Sequence, residues 1–329
     1  MKKITLLILL FAFKINAQVS SYTFSVHTGG AQVSSGSDLG FNGTSYVSNQ
    51  NQSYNITLPF TFYYDGNPYQ NITACTNGFI RMGTTNSNGL NILNNASATN
   101  VISGLNTEFK ARALYQAGFG VYVTLGRFGF RTTGTAPNRV FTVYWIDYTN
   151  STTAENNTFD IDFNIKLYET SNVIEFVYGN ILPAGSSTVQ VGLKGASNSD
   201  VNAITTTNNW ASVTQSTSSA ATCTLSNTVK PANATIFRWT PPAITCDTPS
   251  NLAVTNVFDT TATLNWDNDL INSSNNFQYS VQPAGTGEPT VAGTAVTNSR
   301  TANITGLSPE TAYEIYVRKA CTYGKFSTW

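Results

Sequence analysis

The stretch Thr158-Phe159-Asp160-Ile161-Asp162-Phe163-Asn164-Ile165-Lys166-Leu167 alternates apolar and polar side chains along its whole length. Successive side chains of a β-strand point to opposite faces, so this pattern predicts a strand with one buried face and one solvated face. A turn at 169–172 and the apolar run 173–178 extend the prediction to an antiparallel hairpin. The polar face carries Asp160 and Asp162, which strand geometry places about 7 Å apart.

Other short segments show the same period of two and are separated by Asn-Gly, Asp-Gly and Pro-Asn turn sequences. Helical periodicity is nearly absent, apart from one short helix expected at 106–115. This pattern favours an all-β fold and a β-sandwich. Segments 86–100 and 205–221 are rich in Asn, Ser, Thr and Ala, and we expect long loops or irregular edge strands there. Further strands are predicted at 54–63, 78–82, 120–125, 127–132, 140–148, 189–193 and 235–239.

Charged residues are scarce: they make up 10% of the 329 residues, and the formal net charge is zero. An average soluble domain carries about 25%. The sequence therefore lacks the basic footprint of a nucleic-acid-binding protein. After the N-terminal leader, no stretch is apolar over the ~20 residues that a membrane-spanning helix needs, so no membrane insertion is expected.

The N-terminus has the features of a secretory signal peptide, predicted to comprise residues 1–17. Lys2 and Lys3 precede the apolar run 4–13, and Ala17 is a small residue at the expected cleavage position before Gln18. Export would place the cysteines in an oxidising compartment, where an even number favours two disulfides. Buried free thiols are the alternative. The four cysteines are Cys75, Cys223, Cys246 and Cys321.

The chain is longer than a typical single domain of ~100 to 200 residues, which favours two folded units. Pro241-Pro242 interrupts the strand pattern, because proline cannot donate to a sheet ladder. We therefore predict an N-terminal β-sandwich at 18–240, a linker at 241–245 and a second sandwich at 246–329.

Catalytic, cofactor and metal sites are not predicted. Nucleophilic catalysis needs a base beside the nucleophile, and His27 is the only histidine in the sequence. Asp160 and Asp162 are a carboxylate pair of the kind that glycoside hydrolysis uses, but a solvated sheet face explains them more simply. Asp267-Asn268-Asp269 resembles half of a calcium loop but lacks the terminal Glu, so a solvated loop is preferred.

Trp210 follows a polar run at 205–209 and is the candidate for ligand contact. A tryptophan in a loop can offer a flat face on which a sugar stacks. The alternative is that Trp210 packs as a cover over the end of the sandwich.

The stretch at 302–318, Ala-Asn-Ile-Thr-Gly-Leu-Ser-Pro-Glu-Thr-Ala-Tyr-Glu-Ile-Tyr-Val-Arg, together with 262–266, resembles fibronectin type III domains. This resemblance implies an immunoglobulin-like β-sandwich. It also implies that Trp266 and Leu307 belong to the core, and that the hydroxyl of Tyr313 bonds back to the preceding backbone as a tyrosine corner.

The resemblance also implies a cysteine pairing. Strand A of a fibronectin type III sandwich begins at the pole where strand F ends, which brings Cys246 to Cys321. Cys75 would then bridge Cys223, giving one of three possible connectivities. Residues 325–329 are too few to complete the family's last strand, G. The expectation is that the chain is a fragment of a longer protein with a truncated strand G.

Segments 58–62, 76–80, 137–145, 167–169 and 174–176 resemble extracellular β-domains at the N-termini of secreted proteins of gram-negative bacteria. More distantly, they resemble nidogen-like domains. The resemblance implies a secreted or cell-surface binding or adhesion protein that is not an enzyme. Its partner would be an extracellular protein or glycan. The alternative hypothesis is a non-catalytic, carbohydrate-binding N-terminal region of a larger secreted hydrolase.

Overall fold

The computed structural model forms two compact units, Ala17–Pro242 and Ala243–Trp329. Three sequence predictions lie outside the residues that the structure describes: the signal peptide at 1–17, most of the linker, and Asn268 with Asp269. In the described part of the chain, no helix has the length and apolar character needed to cross a membrane. The structure describes residues 18–39, 50–85, 88–116, 118, 121–150, 159–242, 246, 248–267, 276–321 and 325–329.

The first unit is built from antiparallel strands, which follow a 3₁₀ turn at Val19–Ser21. In chain order they are β1 (Thr23–His27), β2 (Ser37–Asp38), β3 (Ser53–Tyr64), β4 (Asn67–Cys75), β5 (Phe79–Met82), β6 (Val101–Asn106), β7 (Lys110–Ala111), β8 (Ala113–Gln116), β9 (Val121–Thr124), β10 (Arg127–Thr133), β11 (Val140–Thr149), β12 (Asp160–Tyr168), β13 (Ile174–Leu182), β14 (Ser187–Lys194), β15 (Val201–Thr205), β16 (Thr214–Ser216), β17 (Cys223–Leu225) and β18 (Ile236–Thr240).

Apart from β8 and β9, which pair with each other, these strands form two large sheets, and this confirms the all-β prediction. The first sheet has the order β1-β18-β13-β12-β11-β10-β2, with β7 beside β11. The second has the order β16-β15-β14-β6-β5-β4-β3, with β17 beside β14. The helix expected at 106–115 is wrong: Ala111 pairs with Tyr148 of β11, and β8 pairs with β9. Long-range pairing overrides the local pattern there.

The main core lies between the two sheets and is rich in aromatic side chains. Trp145 of β11 stacks on Phe163 of β12 with ring centroids 4.5 Å apart. Its indole N–H donates to the carbonyl oxygen of Thr76 in the opposite sheet at 3.1 Å. At Gly104 of β6, an added Cβ would lie 2.8 Å from the Phe163 ring, so this glycine lets the sheets approach closely.

The hairpin predicted at the start is present as β12 and β13, but its polar face is not solvated. The chain at 31–33 crosses that face. Asn164, which is fully buried, accepts from the backbone N–H of Val33 at 2.6 Å and donates to its carbonyl oxygen at 3.1 Å. The ammonium group of Lys166 donates to the carbonyl oxygen of Ala31 at 2.7 Å. The solvated face that period-two alternation predicts is therefore covered by a segment about 130 residues away in sequence.

The second unit is a smaller sandwich of two three-stranded sheets, β19-β20-β23 and β22-β21-β24. Its core is formed by Leu264, Trp266, Phe277, Ala302, Ile304 and Val317. The strands are β19 (Ser250–Thr255), β20 (Thr261–Asp267), β21 (Asn276–Pro283), β22 (Thr294–Thr297), β23 (Thr301–Thr305) and β24 (Tyr313–Lys319).

The second unit contains the features that the fibronectin type III resemblance implies. Trp266 packs edge-to-face on Phe277, and Leu307 packs against the core. The backbone N–H of Ser308 donates to the Tyr313 hydroxyl at 2.9 Å. A disulfide joins Cys246 to Cys321, and their Cα atoms are 5.9 Å apart.

Candidate binding surface

Two polar loops cover the outer side of the second sheet in the first unit. The segments 88–100 and 217–222 pack on β5, β6, β14 and β15, and we call this surface the loop-covered face. A second hydrophobic core, separate from the one between the sheets, lies beneath the loops. It is formed by Cys75, Phe79, Ile92, Leu93, Ala98, Val101, Val201, Ala203 and Ala221.

Buried side-chain amides hold these loops in place. The Asn106 amide oxygen accepts from the backbone N–H of Ile92 at 2.9 Å, and the Gln190 amide oxygen accepts from that of Leu93 at 2.8 Å. The Gln190 amide nitrogen donates to the carbonyl oxygen of Ser219 in the second loop at 2.9 Å. Because buried polar groups are costly to leave unpaired, these bonds define the loop positions.

The solvent side of the loop-covered face presents uncharged hydrogen-bonding groups. Asn94, Asn95, Ser97 and Asn198 are exposed. The Ser219 hydroxyl donates to the Asn94 amide oxygen at 3.0 Å, which joins the two loops. The face is therefore an ordered surface of amides and hydroxyls on a rigid sheet, the usual arrangement of binding loops.

Two cations lie at the base of the loop at 88–100. Nε of Arg81 donates to the carbonyl oxygen of Thr99 at 3.2 Å. Nζ of Lys194 donates to the carbonyl oxygen of Asn95 at 2.7 Å and to the Asn198 amide oxygen. Burial lowers the pKa of both groups, and the charge of Arg81 lowers the pKa of Lys194 further.

Trp210 does not lie on an exposed surface, so the hypothesis that it is a ligand platform is wrong, and the alternative, that it packs as a cover on the core, agrees with the structure. The residue is 2% exposed, and its ring stacks on Phe237 at 6.1 Å between centroids. Its indole N–H donates to the carbonyl oxygen of Thr224 at 2.9 Å. The polar neighbours in sequence are misleading, because Trp210 folds inward from its 3₁₀ turn to close the main core.

Asp160 and Asp162 lie in a half-buried carboxylate cluster, so their prediction as a solvated pair is wrong. A bulge in β11 brings Asp147 to them, and the Asp147 backbone N–H donates to Asp162 at 2.7 Å. Burial raises the pKa of the Asp162 carboxyl to about 7 and raises that of Asp160. Asp160 also accepts from the Asn180 amide at 2.8 Å. The charge of Asp160 raises the pKa of Asp162 further, because two neighbouring carboxylates repel each other.

Cys75 and Cys223 are free and buried, so the predicted bridge between them is wrong. Cys75 ends β4, whereas Cys223 begins β17 beside β14. In the sheet order β14, β6 and β5 separate these strands, which puts the two Cα atoms roughly 19 Å apart, far beyond the ~7 Å limit for a disulfide. Burial raises the pKa of each thiol to about 12, which keeps both protonated.

His27 is exposed at the end of β1 and hydrogen-bonds the Ser25 hydroxyl at 2.9 Å. The calcium-loop resemblance begins at Asp267, which the structure describes, and continues into residues outside the described part of the chain. The Asp267 carboxylate accepts from the Asn251 amide at 2.9 Å. Across the residues that the structure describes, no group of three or more His, Cys, Asp or Glu side chains is arranged to hold a metal ion.

The second unit has an open groove of about 820 Å³. Val254 of β19, Ile315 of β24 and the exposed side chains of Val257 and Phe258 line it. The groove is therefore an apolar opening between the two sheets of this unit.

The chain is a modular β-protein of extracellular type. It consists of a large sandwich with long loops and a small sandwich with an internal disulfide. The family model described as NIDO related matches residues 13–241, and the fibronectin type III domain model matches residues 247–329. The chain therefore belongs to the NIDO-related family and carries a fibronectin type III domain, which confirms both resemblances. These domains indicate an extracellular protein of the adhesion or binding type.

No curated protein matches the chain. A crystal structure of the chicken CNTN1 FN1–FN3 domains is similar at 12% identity, covering 60% of this chain and 95% of that one. The TM-score of this match is 0.23, which is too low to carry an argument.

Proposed function

We propose that the chain is a secreted or cell-surface adhesion protein of a gram-negative bacterium, without catalytic activity. Its ligand, an extracellular glycan or protein, binds at the loop-covered face. The observation that carries this proposal is the second hydrophobic core under the loops, together with the buried amides of Asn106 and Gln190. Loops that are ordered before binding lose little conformational entropy on binding, which favours affinity.

The carboxylate cluster supports a non-catalytic role. Glycosidases hold their two carboxyl groups about 5 to 9.5 Å apart, with the substrate or a water between them. Here the Asp147 backbone N–H donates to an Asp162 oxygen and the Asn180 amide donates to an Asp160 oxygen, so both carboxyl groups are engaged within the fold. The buried thiols have pKa values raised to about 12, which is unsuited to a nucleophile.

A carbohydrate-binding ancillary region of a larger secreted hydrolase is the second candidate. The exposed amides and hydroxyls of the loop-covered face favour it, because such groups match the hydroxyls of a sugar. The two candidates predict different gene contents after Trp329, since the second requires a catalytic domain in the same polypeptide.

A binding array of glycans and matrix proteins tests the proposal, using the chain as secreted. Ser97→Trp places a bulky ring on the exposed tip of the loop at 88–100 and should abolish binding. Thr135→Trp is the matched control, because Thr135 is also exposed but lies in the turn between β10 and β11 of the other sheet.

Retained binding in Ser97→Trp would contradict the assignment to the loop-covered face. The absence of any bound ligand on the array would count against the binding function itself. Hydrolysis of a polysaccharide that disappears in Asp160→Asn or Asp162→Asn would overturn the non-catalytic assignment.

A further inference from the structure

Arg81 and Lys194 are neighbouring cations on the loop-covered face. Arg81 lies on β5 and Lys194 ends β14, and both are directly opposite Val101 of the intervening strand β6. Directly opposite residues of a sheet point to the same face, so both side chains extend beneath the loop at 88–100. Arg81 is 7% exposed and Lys194 is 0% exposed.

These two cations have no carboxylate partner within the described residues. Their hydrogen bonds go to neutral oxygens, those of Thr99, Asn95 and Asn198. The carboxylate of Asp200, six residues after Lys194, is occupied elsewhere, because it accepts from the N-terminal backbone at Ser20 at 2.9 Å. A desolvated positive charge without a counter-charge is costly, and two adjacent ones add repulsion.

The ion-paired arginines of the first unit show how the fold treats guanidinium groups elsewhere. Each is more exposed than Arg81 and yet contacts a carboxylate. Arg81 is the only buried arginine among the described residues. The contacts are Arg112 with Asp147, Arg127 with Asp38, Arg139 with Glu169 and Arg238 with Glu175.

We infer that Arg81 and Lys194 form an anion-binding site and that its ligand is a glycan carrying sulfate or carboxylate groups. The bond to Thr99 uses only Nε of Arg81, which leaves the terminal guanidinium nitrogens for a bidentate contact with an oxyanion. Lys194 adds a second positive charge from below. The exposed Asn94, Asn95 and Asn198 amides around the site match the hydroxyls of a sugar. A site for an acidic peptide would instead be expected to have further cationic side chains around it. This inference rests on the proposed binding function and names its ligand class.

The test is a titration of the secreted chain with four probes: a sulfated oligosaccharide, a uronate oligosaccharide, a neutral oligosaccharide and poly-glutamate. The two acidic oligosaccharides should bind more tightly than the other two probes. Their affinity should fall as the salt concentration increases. Arg81→Gln should weaken their binding by about tenfold, the effect of losing one charge-assisted contact. Lys194→Met should weaken it as well. Arg131→Gln, which removes an exposed cation of β10 in the other sheet, should change it by less than about twofold.

Thermal unfolding separates a binding role from a structural one. Removing one of two repelling buried charges should leave the midpoint of Arg81→Gln or Lys194→Met unchanged or raise it. If neither variant folds, competition decides: inorganic sulfate should displace the glycan from the unmodified chain where chloride at equal ionic strength does not.

Acidic-glycan affinity that survives in Arg81→Gln would overturn the anion site. Equal binding of poly-glutamate would overturn the glycan assignment. Neutral-glycan or protein binding that is lost in Ser97→Trp but not in Arg81→Gln would reject the anion site while leaving the proposed binding function intact.

Discussion

The two units share an all-β architecture but are stabilised by different means. In the first, an aromatic core lies between large sheets, a second core lies under the loops, and its two cysteines are free. In the second, a small core is accompanied by the disulfide between Cys246 and Cys321. A small sandwich buries a smaller fraction of its surface, so a covalent constraint has more to contribute there.

The units also differ in what they leave uncovered. In the first unit, the loops at 88–100 and 217–222 cover the outer face of one sheet, and the segment at 31–33 covers part of the outer face of the other. In the second, Leu252 and Val254 of β19 remain 42% and 45% exposed, and Phe258 is 69% exposed. Among the described residues, the larger first unit exposes two large apolar side chains, those of Val26 and Leu90, whereas the second exposes six, at a surface where apolar contacts with another chain segment can form.

Among the changes considered, Trp210→Ala should have the largest effect on the stability of one unit relative to the other. Removing a buried indole that stacks on Phe237 should destabilise the first unit by about 3–5 kcal/mol. Phe258→Ala, at an exposed aromatic position of the second unit, should change stability by less than about 0.5 kcal/mol. Calorimetry that resolves the transitions of the two units checks both, and an unchanged first transition in Trp210→Ala would refute its place in the core.

Loss of the disulfide should come next. The bridge spans 75 residues, and the chain-entropy model gives about 4 kcal/mol for closing that loop. Cys246→Ser, or mild reduction, should lower the unfolding midpoint of the second unit only, because the first unit contains no bridge in its described residues. A reductant that shifts the first transition as well would show that Cys75 or Cys223 is bridged after all.

The pH dependence of the first unit should be a smaller effect. Asp65 is 5% exposed beside Asp200, and burial together with that neighbour raises its pKa from 3.8 to about 7. A carboxyl whose pKa is raised by folding stabilises the fold while protonated, and that contribution is lost as the pH rises from about 4 through 7. Asp162, also raised to about 7, acts in the same direction.

Asp65→Asn should therefore flatten the stability profile and stabilise the first unit by on the order of 2 kcal/mol at pH 8 relative to the unmodified chain. Urea unfolding of the first unit at several pH values measures this. Asp259→Asn, at an exposed position of the second unit, is the control. A stability that rises between pH 4 and 7 would contradict the assigned direction.

Cleavage between the two units by limited proteolysis should change their stability least. Cleavage within 241–245 should come first and release two resistant fragments, since Pro241-Pro242 interrupts strand pairing. Each fragment should keep the unfolding midpoint that it has in the intact chain. A single coincident transition without resistant fragments would show that the units do not fold separately.

Local patterns predicted the strands whose faces differ in polarity. The pattern at 158–167 predicted β12, and its partner β13 followed from the next apolar run. Some strands buried on both faces lacked this signal: β6 and β15 lie between the main core and the loop-covered face, and neither was predicted, although the equally enclosed β5 was. β4 was also missed, because it begins with Asn67-Pro68 and is exposed over its first half.

The sequence by itself determined the β class, the fibronectin type III unit and the pairing of Cys246 with Cys321, because these follow from local alternation and from a known strand order. Only the tertiary structure decided that Trp210 faces inward, that Asp160 and Asp162 are half-buried, that Cys75 stays free and that Arg81 lies without a carboxylate. The physical reason is that burial and electrostatic environment depend on which distant segments pack together. The long loops of this chain have no periodic pattern from which their packing positions could be predicted.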